Sequence, residues 1–223
     1  MRYRGVIFDF NGVLLDDAGY QIQAWQHMAR ELRGREMTGD ELAVHMHGRP
    51  NSYVLSYLTG RKIAGQELLT LIQAKETLYR ELCLSNPGGL QLSPGARELL
   101  DTLVARSIPR TIATSSEKTN LDFFVKHLAL ARWFEIANIV YDDGRRPGKP
   151  APDMYLAAAG NIGVDPARCV VVEDAISGVM AALAARIGYI VGLGAGSHAS
   201  LLRSKGAAAV IETLRDFPRE LLG

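Results

Sequence analysis

Apolar residues fall along this chain in two rhythms. Short runs that are apolar at successive positions, "GVIFDF", "PRTIAT", "ANIVY", "CVVVED", "YIVGLG" and, more weakly, "AAAVI", are rich in β-branched residues and read as strands. Between most of them the apolar positions recur at three- and four-residue intervals, as at Ala96, Leu99, Leu100 and Leu103 or at Leu121, Phe124, Val125 and Leu128, which predicts helices. Strands apolar throughout, instead of at every second position, need cover on both faces. The alternation therefore predicts an α/β fold: a doubly wound, Rossmann-like parallel sheet with helices on both sides.

One stretch departs from this rhythm. From about Asp17 to Gly89 there is no convincing strand, only the helical patterns "QIQAWQHMARELRG", "GDELAVHMHG", "NSYVLSYLTG" and "AGQELLTLIQAKETLYRELCL". Thr38 and Gly39 precede the second pattern, and the turn-rich loop "SNPGGLQLSPG" closes the block. The stretch reads as a helical insertion after the first strand, so two domains are expected: residues 1–16 with 90–223 as the α/β core, and residues 17–89 as an α-helical cap. Trp25, Met28 and Leu32 lie on or beside the helix face of Ile22 and Ala29 and read as the core of that insertion, not as a platform for stacking a sugar.

Composition narrows the partners more than the fold. The chain has 223 residues, 48% of them hydrophobic, enough to bury a full core. With 25 basic against 24 acidic side chains the net charge is +1, so no global field favours nucleic acid or an anionic membrane, and any anion must be met locally. Cys83 and Cys169 lie far apart, and Cys169 heads the run "CVVVED"; both read as buried thiols, not as a disulfide or metal ligands. The apolar stretch after Arg2 and Arg4 is broken at Asp9, too soon for a signal peptide or a spanning helix. A cytoplasmic protein, monomeric or weakly dimeric, is expected.

Candidate chemistry lies where strands end, because open α/β sheets bind ligands beyond the carboxyl ends of their strands. The first strand delivers Asp9 and Asn11, followed by Gly12, which permits a tight turn or a close approach. The second delivers Thr114, Ser115 and Ser116 beside an expected helix start, where free N–H groups favour an anion. The loop after "ANIVY" brings Lys149 in "RPGKPAPD", and "CVVVED" ends in Glu173 and Asp174. Singly, each reads as a cap, a turn or a solvated charge. Together they supply carboxylates for a hard cation, donors for phosphate oxygens and a cation to neutralise charge.

These four motifs, in this order, resemble those of the haloacid dehalogenase superfamily: "DFNGV", "IATSS", "GKPAPDMY" and "VVVEDAISG" correspond to its first to fourth motifs over nearly the whole chain. "GKPAPD" followed by "EDAISG" resembles the branch with a helical cap inserted after the first motif, subfamily I, which contains β-phosphoglucomutase and phosphoglycolate phosphatase. The resemblance implies that Asp9 is the nucleophile and forms an aspartyl phosphate. It implies that Thr114 and the Ser115 amide hold phosphoryl oxygens, while Lys149 pairs with both the phosphoryl group and Asp9. Mg²⁺ would be bound by the Asp9 carboxylate, the main-chain carbonyl of Asn11 and Asp174, with Glu173 close by or acting through water. In the cap, "HGRPN" falls at the substrate loop, where Gly48 would allow close approach and Arg49 and Asn51 would read hydroxyls or a second phosphate. The alternative, that these residues only join two helices, carries equal weight.

The departure from the family pattern is Asn11, where the family usually carries the Asp that protonates the leaving oxygen and then activates water. An amide cannot exchange that proton, a contribution of typically ~10²- to 10⁴-fold. Three explanations are open: another proton carrier, with Asp16, Asp17 and His47 nearest in sequence; a slow phosphatase or one whose substrates have good leaving groups, such as acyl phosphates; or an engineered replacement. Relatives with Asn at this place favour a natural variant. The retained acidic pair separates the chain from the metal-free dehalogenases, and the lack of a lysine in "HMHGRPN" separates it from the phosphonate-cleaving relatives. Gln21, where the mutase pattern has histidine, argues with Asn11 against a true mutase. The expectation is a Mg²⁺-dependent phosphatase of a small phosphorylated metabolite. The alternatives are a sugar-phosphate mutase or a catalytically weak relative that binds a phosphorylated ligand.

Overall fold

A computed structural model describes residues 3–46, 49–85 and 90–222. The chain divides into two compact units, Met1–Asp16 with Gln91–Gly223, and Asp17–Leu90.

The first unit is built on six parallel strands: β1 (Gly5–Phe8), β2 (Arg110–Glu117), β3 (Val140–Asp142), β4 (Cys169–Glu173), β5 (Tyr189–Leu193) and β6 (Ala209–Ile211). Their order across the sheet is β3-β2-β1-β4-β5-β6. The doubly wound α/β fold expected from the successive apolar runs is the fold observed. Helices α5 (Ala96–Ala105), α6 (Lys118–His127), α7 (Asp153–Asn161), α8 (Ile176–Ala184) and α9 (Gly196–Ser204) complete the unit, numbered after the four helices of the second unit.

β1 occupies the middle because every one of its residues is buried, which only a strand flanked on both sides and covered on both faces satisfies. It pairs with β2 through Ile7 and Thr111 and with β4 through Ile7 and Val171. The chain winds from β1 through β2 to β3 and then crosses to β4, so the strand order reverses between β1 and β4. That reversal opens a crevice at the carboxyl ends of the two strands. Below it, Ile7 and Val171 of the sheet pack with Met154 and Ala158 of α7 and Val179 and Ala182 of α8. Alanines on those helices let their backbones approach the sheet closely. On α5 the expected stripe Ala96, Leu99, Leu100 and Leu103 is buried; on α6 Leu121 and Phe124 are buried, while Val125 and Leu128 are half-buried. Cys169 and Cys83 are both free and buried, as their settings in the sequence implied.

The second unit consists of α1 (Ala18–Arg33), α2 (Gly39–His45), α3 (Asn51–Thr59) and α4 (Gly65–Ser85). Thr38 caps α2 with a complete capping box, its hydroxyl accepting from the Glu41 amide while the Glu41 carboxylate accepts from the Thr38 amide at 2.7 Å. Trp25, Met28 and Ala29 are buried with Val54, Leu55 and Leu58, and Leu32 packs against this cluster from its margin. A polar chain runs through the same unit. Buried Asp17 accepts from the Tyr79 hydroxyl at 2.7 Å and from Gln21, while Lys75 donates to Gln21 at 2.6 Å and to Glu76 at 3.0 Å. Among the described residues no helix is long and apolar enough to cross a membrane.

Glu41 ties α1, α2 and α3 together, accepting from Arg35 at 2.8 Å, from Arg33 at 2.8 Å and from the Tyr57 hydroxyl at 2.5 Å. Hydrogen bonds from Arg35, then Arg33 and Tyr57, hold its carboxyl well below the ordinary carboxylate value of 4.5. A depressed folded-state pKa stabilises above the unfolded value and ceases to do so as pH falls toward the folded one. Glu41→Gln is therefore expected to lower the Tm at pH 7, with the gap to the parent protein closing as the pH is lowered below about 4.5. Thermal melts followed by helix circular dichroism check this; a gap that stays constant down to pH 2.5 contradicts it.

Candidate active site

The crevice between β1 and β4 collects the acidic residues of two strand exits. Asp9 follows β1, its backbone N–H donating to Val172 O at 2.9 Å, which continues the ladder between the two strands. Glu173 is the last residue of β4, and Asp174 follows it. One carboxylate oxygen from each of Asp9, Glu173 and Asp174 lies within 4.8 Å of the others. Parallel adjacency of β1 and β4 makes this possible, since it brings two exits into one register.

Lys149 enters from the loop between β3 and α7 and is the counter-ion. Its Nζ lies 2.5 Å from Asp9 Oδ1 and 3.2 Å from Glu173 Oε1, with only 5% of the side chain exposed. Burial alone would lower the lysine pKa, but the Asp9 and Glu173 carboxylates reverse that and hold it well above the ordinary value, so the ammonium stays charged. Glu173 is pushed the other way: burial first, and then repulsion from Asp9, raise its pKa well above the ordinary carboxylate range against the pull of Lys149. One ammonium contacts two of the three carboxyl groups, and Glu173 Oε2 is buried without a hydrogen-bond partner among the described residues. A hard cation with oxygen ligands fits this donor set, because it would offset the surplus negative charge and engage the orphaned oxygen.

Two glycines shape the cluster. Gly12 has φ of +80°, and a Cβ there would lie 2.1 Å from Asp174 Oδ2, so the close approach anticipated at this residue is made by the Asp174 carboxylate. A Cβ on Gly178, in the first turn of α8, would lie 1.4 Å from Glu173 Oε1. The "EDAISG" run therefore needs its glycine because the Glu173 side chain folds over that turn.

The hydroxyls of the second exit lie beside a helix start, as expected, but on an irregular strand. β2 continues through Glu117, and helix α6 starts at Lys118 with Glu117 as its N-cap. Ala113 pairs with Val140 and Glu117 with Asp142, so Thr114, Ser115 and Ser116 bulge out against a single residue of β3. They belong to an irregular strand that leads directly into the helix start at Lys118. Thr114 is buried, its hydroxyl accepting from the Ser116 amide at 3.1 Å, while Ser115 is exposed. Ser116 donates from its hydroxyl to Asn11 Oδ1 at 2.8 Å, joining the first and second exits. His198 on α9 contacts the Asp174 main-chain carbonyl, ring Nε2 to oxygen 2.7 Å. Neither bond was legible in the sequence, since each joins residues brought together only by the winding of the sheet.

The residues singled out in "HGRPN" lie in the second unit, and Gly48 and His47 fall outside the described residues. Asn51 opens α3 and donates to Glu76 Oε1 at 2.9 Å. Arg49 is exposed, with its guanidinium over the Tyr53 ring at 4.8 Å. Of the other proton carriers considered, Asp16 is exposed and Asp17 is buried within the polar chain of the second unit.

The fit of Gly178 to Glu173 generates a prediction. Gly178→Ala is expected to displace the Glu173 carboxylate and to lower the Tm, measured by thermal melts. An unchanged Tm would show that the carboxylate has another resting place.

Residues 3–186 match the family model of haloacid dehalogenase-like hydrolases. A β-phosphoglucomutase of Bacillus subtilis is 31% identical over 222 residues, spanning 98% of this chain and 93% of that protein. The fructose-1-phosphate phosphatase YqaB of Escherichia coli is 30% identical, spanning 82% of this chain and 93% of its own length. Among solved structures, a family IA, variant 3 hydrolase from Entamoeba histolytica superposes with a TM-score of 0.91 at 33% identity, covering 98% of this chain and 97% of that one. With the family model spanning both the crevice and its acidic cluster, the chain belongs to the haloacid dehalogenase-like hydrolases.

Proposed function

We propose that the chain is a Mg²⁺-dependent phosphatase that hydrolyses a small phosphorylated metabolite, with carbohydrate phosphates the first class to test, through an aspartyl phosphate on Asp9. The observation that carries this reading is the buried Lys149 ammonium bridging Asp9 and Glu173 beside Asp174. A carboxylate held against a permanently charged ammonium can approach an anionic phosphoryl group, which a lone buried carboxylate would repel. Asp9 attacks phosphorus, the bond to the leaving oxygen breaks, and water then releases phosphate from Asp9. Thr114 and the Ser115 amide bind the phosphoryl oxygens, and Lys149 neutralises their charge. The Asp9 and Asp174 carboxylates and the Asn11 main-chain carbonyl would hold Mg²⁺, with Glu173 beside it or acting through water. The bound ion would supply charge neutralisation at the phosphoryl group. The helical unit is the cap of this reading, with Gly48, Arg49 and Asn51 as its candidate substrate contacts.

Asn11 sets the rate. Its Oδ1 accepts from Ser116, and an amide retains its protons at neutral pH, so the leaving oxygen departs without an acid from this side chain. A sugar-phosphate mutase is the second reading, supported by the β-phosphoglucomutase relative that matches almost the whole chain. It needs proton transfer in both directions, which Asn11 does not provide.

Phosphate release from sugar phosphates, phosphoglycolate, nucleotides and acyl phosphates, with Mg²⁺ present, is expected to disappear in Asp9→Ala and on adding a chelator. Silence across the panel with Mg²⁺ still bound would point to a ligand-binding protein. Turnover that requires a bisphosphorylated sugar and yields an isomer would point to a mutase. Asn11→Asp is expected to raise phosphatase kcat by up to ~10²- to 10⁴-fold. No gain in a folded, Mg²⁺-binding variant would sink the account of Asn11 as a missing acid.

A further inference from the structure

Lys149 has a third neighbour that the proposed chemistry does not use. Its ammonium lies over the face of the Tyr155 ring, 5.0 Å from the centroid. Tyr155 is carried on α7, the helix that follows the Lys149 loop, and is fully buried among Ile7, Met154, Ala158 and Val171. Its hydroxyl is buried as well.

We propose that Tyr155 is a positioning residue whose ring face holds the Lys149 ammonium against Asp9. This inference rests on the reading of Asp9 as the nucleophile. Lysine is a point charge on a flexible four-carbon stem, and here two carboxylates compete for it, at 2.5 Å and 3.2 Å. A shift toward Glu173 would leave Asp9 without its counter-charge just as an anionic phosphoryl group arrives. The ring limits that freedom in two ways: it fills the space that water would otherwise take, and its negative face attracts the cation. Attraction of this kind is strongest where the cation is desolvated, as it is at 5% side-chain exposure. The hydroxyl also interacts with Lys149, and Tyr155→Phe separates its contribution from that of the ring.

A tyrosine that only fills the core would act through its shape. The ring's electrostatics therefore separate the two roles. Phenylalanine and a series of progressively fluorinated phenylalanines, introduced at position 155 of the full chain, keep nearly the same shape while weakening the negative face. The assay is p-nitrophenyl phosphate hydrolysis at saturating Mg²⁺, with a thermal melt of each variant. Tyr155→Leu is expected to reduce kcat by about thirtyfold while KM moves by less than about threefold. Tyr155→Phe is expected to restore kcat to within about threefold of the parent protein. Across the fluorinated series kcat should fall stepwise at constant Tm. Should Tyr155→Leu fail to fold, the fluorinated series alone decides. A flat series, or a Tyr155→Phe variant as slow as Tyr155→Leu, overturns the inference. Asp9→Ala tells this failure from a deeper one. A flat series with an inactive Asp9→Ala removes only the role of Tyr155, whereas a fully active Asp9→Ala removes the nucleophile reading and this inference with it.

Discussion

The buried ammonium of Lys149, shared by the carboxylates of Asp9 and Glu173, is the interaction on which the site is organised. Removing three charged groups from water is costly, and their mutual attraction offsets that cost only when geometry is close. The 2.5 Å and 3.2 Å contacts supply such geometry, and the surrounding fold is arranged to keep them. β1 and β4 lie side by side so that Asp9 and Glu173 leave the sheet together, and the residues around them are close-packed. The arrangement is unbalanced: the Asp9, Glu173 and Asp174 carboxyl groups lie close together with one lysine beside two of them, a donor set that fits a further cation.

The same interaction explains several residues that carry no charge. Gly178 is required because Glu173 must fold over the first turn of α8 to meet Lys149, and Gly12 because the Asp174 carboxylate lies against the first exit. Tyr155 places an aromatic face against the same ammonium. Asn11 is the exception to the charged pattern. Held by Ser116, it contributes a fixed polar group that does not titrate. On the proposed reading, the site retains what positioning and charge neutralisation demand and alters what proton transfer demands. Those are separable contributions to phosphoryl transfer.

Much of this was legible in the sequence because it depends on local patterns. Successive apolar positions in "GVIFDF" and "CVVVED" can be satisfied only by a sheet covered on both faces, and the spacing of Ala96, Leu99, Leu100 and Leu103 only by a helix with one buried stripe. Polar residues at strand ends, Asp9, Lys149, Glu173 and Asp174 among them, stood out against those apolar runs and were named for that reason. The helix start expected beside Thr114, Ser115 and Ser116 is present at Lys118; the bulge in the strand before it was not legible, because small hydroxyl residues suit a bulge as well as a strand end.

What the sequence by itself determined, then, was the α/β class, the helical character of residues 17–89 and the residue types that could carry chemistry, since periodicity and composition are local and survive without a partner. Tertiary structure alone decided which of those residues meet. Ser116 reaches Asn11 because β2 lies beside β1, His198 on α9 reaches the Asp174 carbonyl because β5 lies beside β4, and Tyr155 faces Lys149 from the helix that follows its loop. The need for Gly178 is of the same kind. It is a steric demand set by a carboxylate on the preceding strand, and it exists only once that side chain has folded back onto the helix.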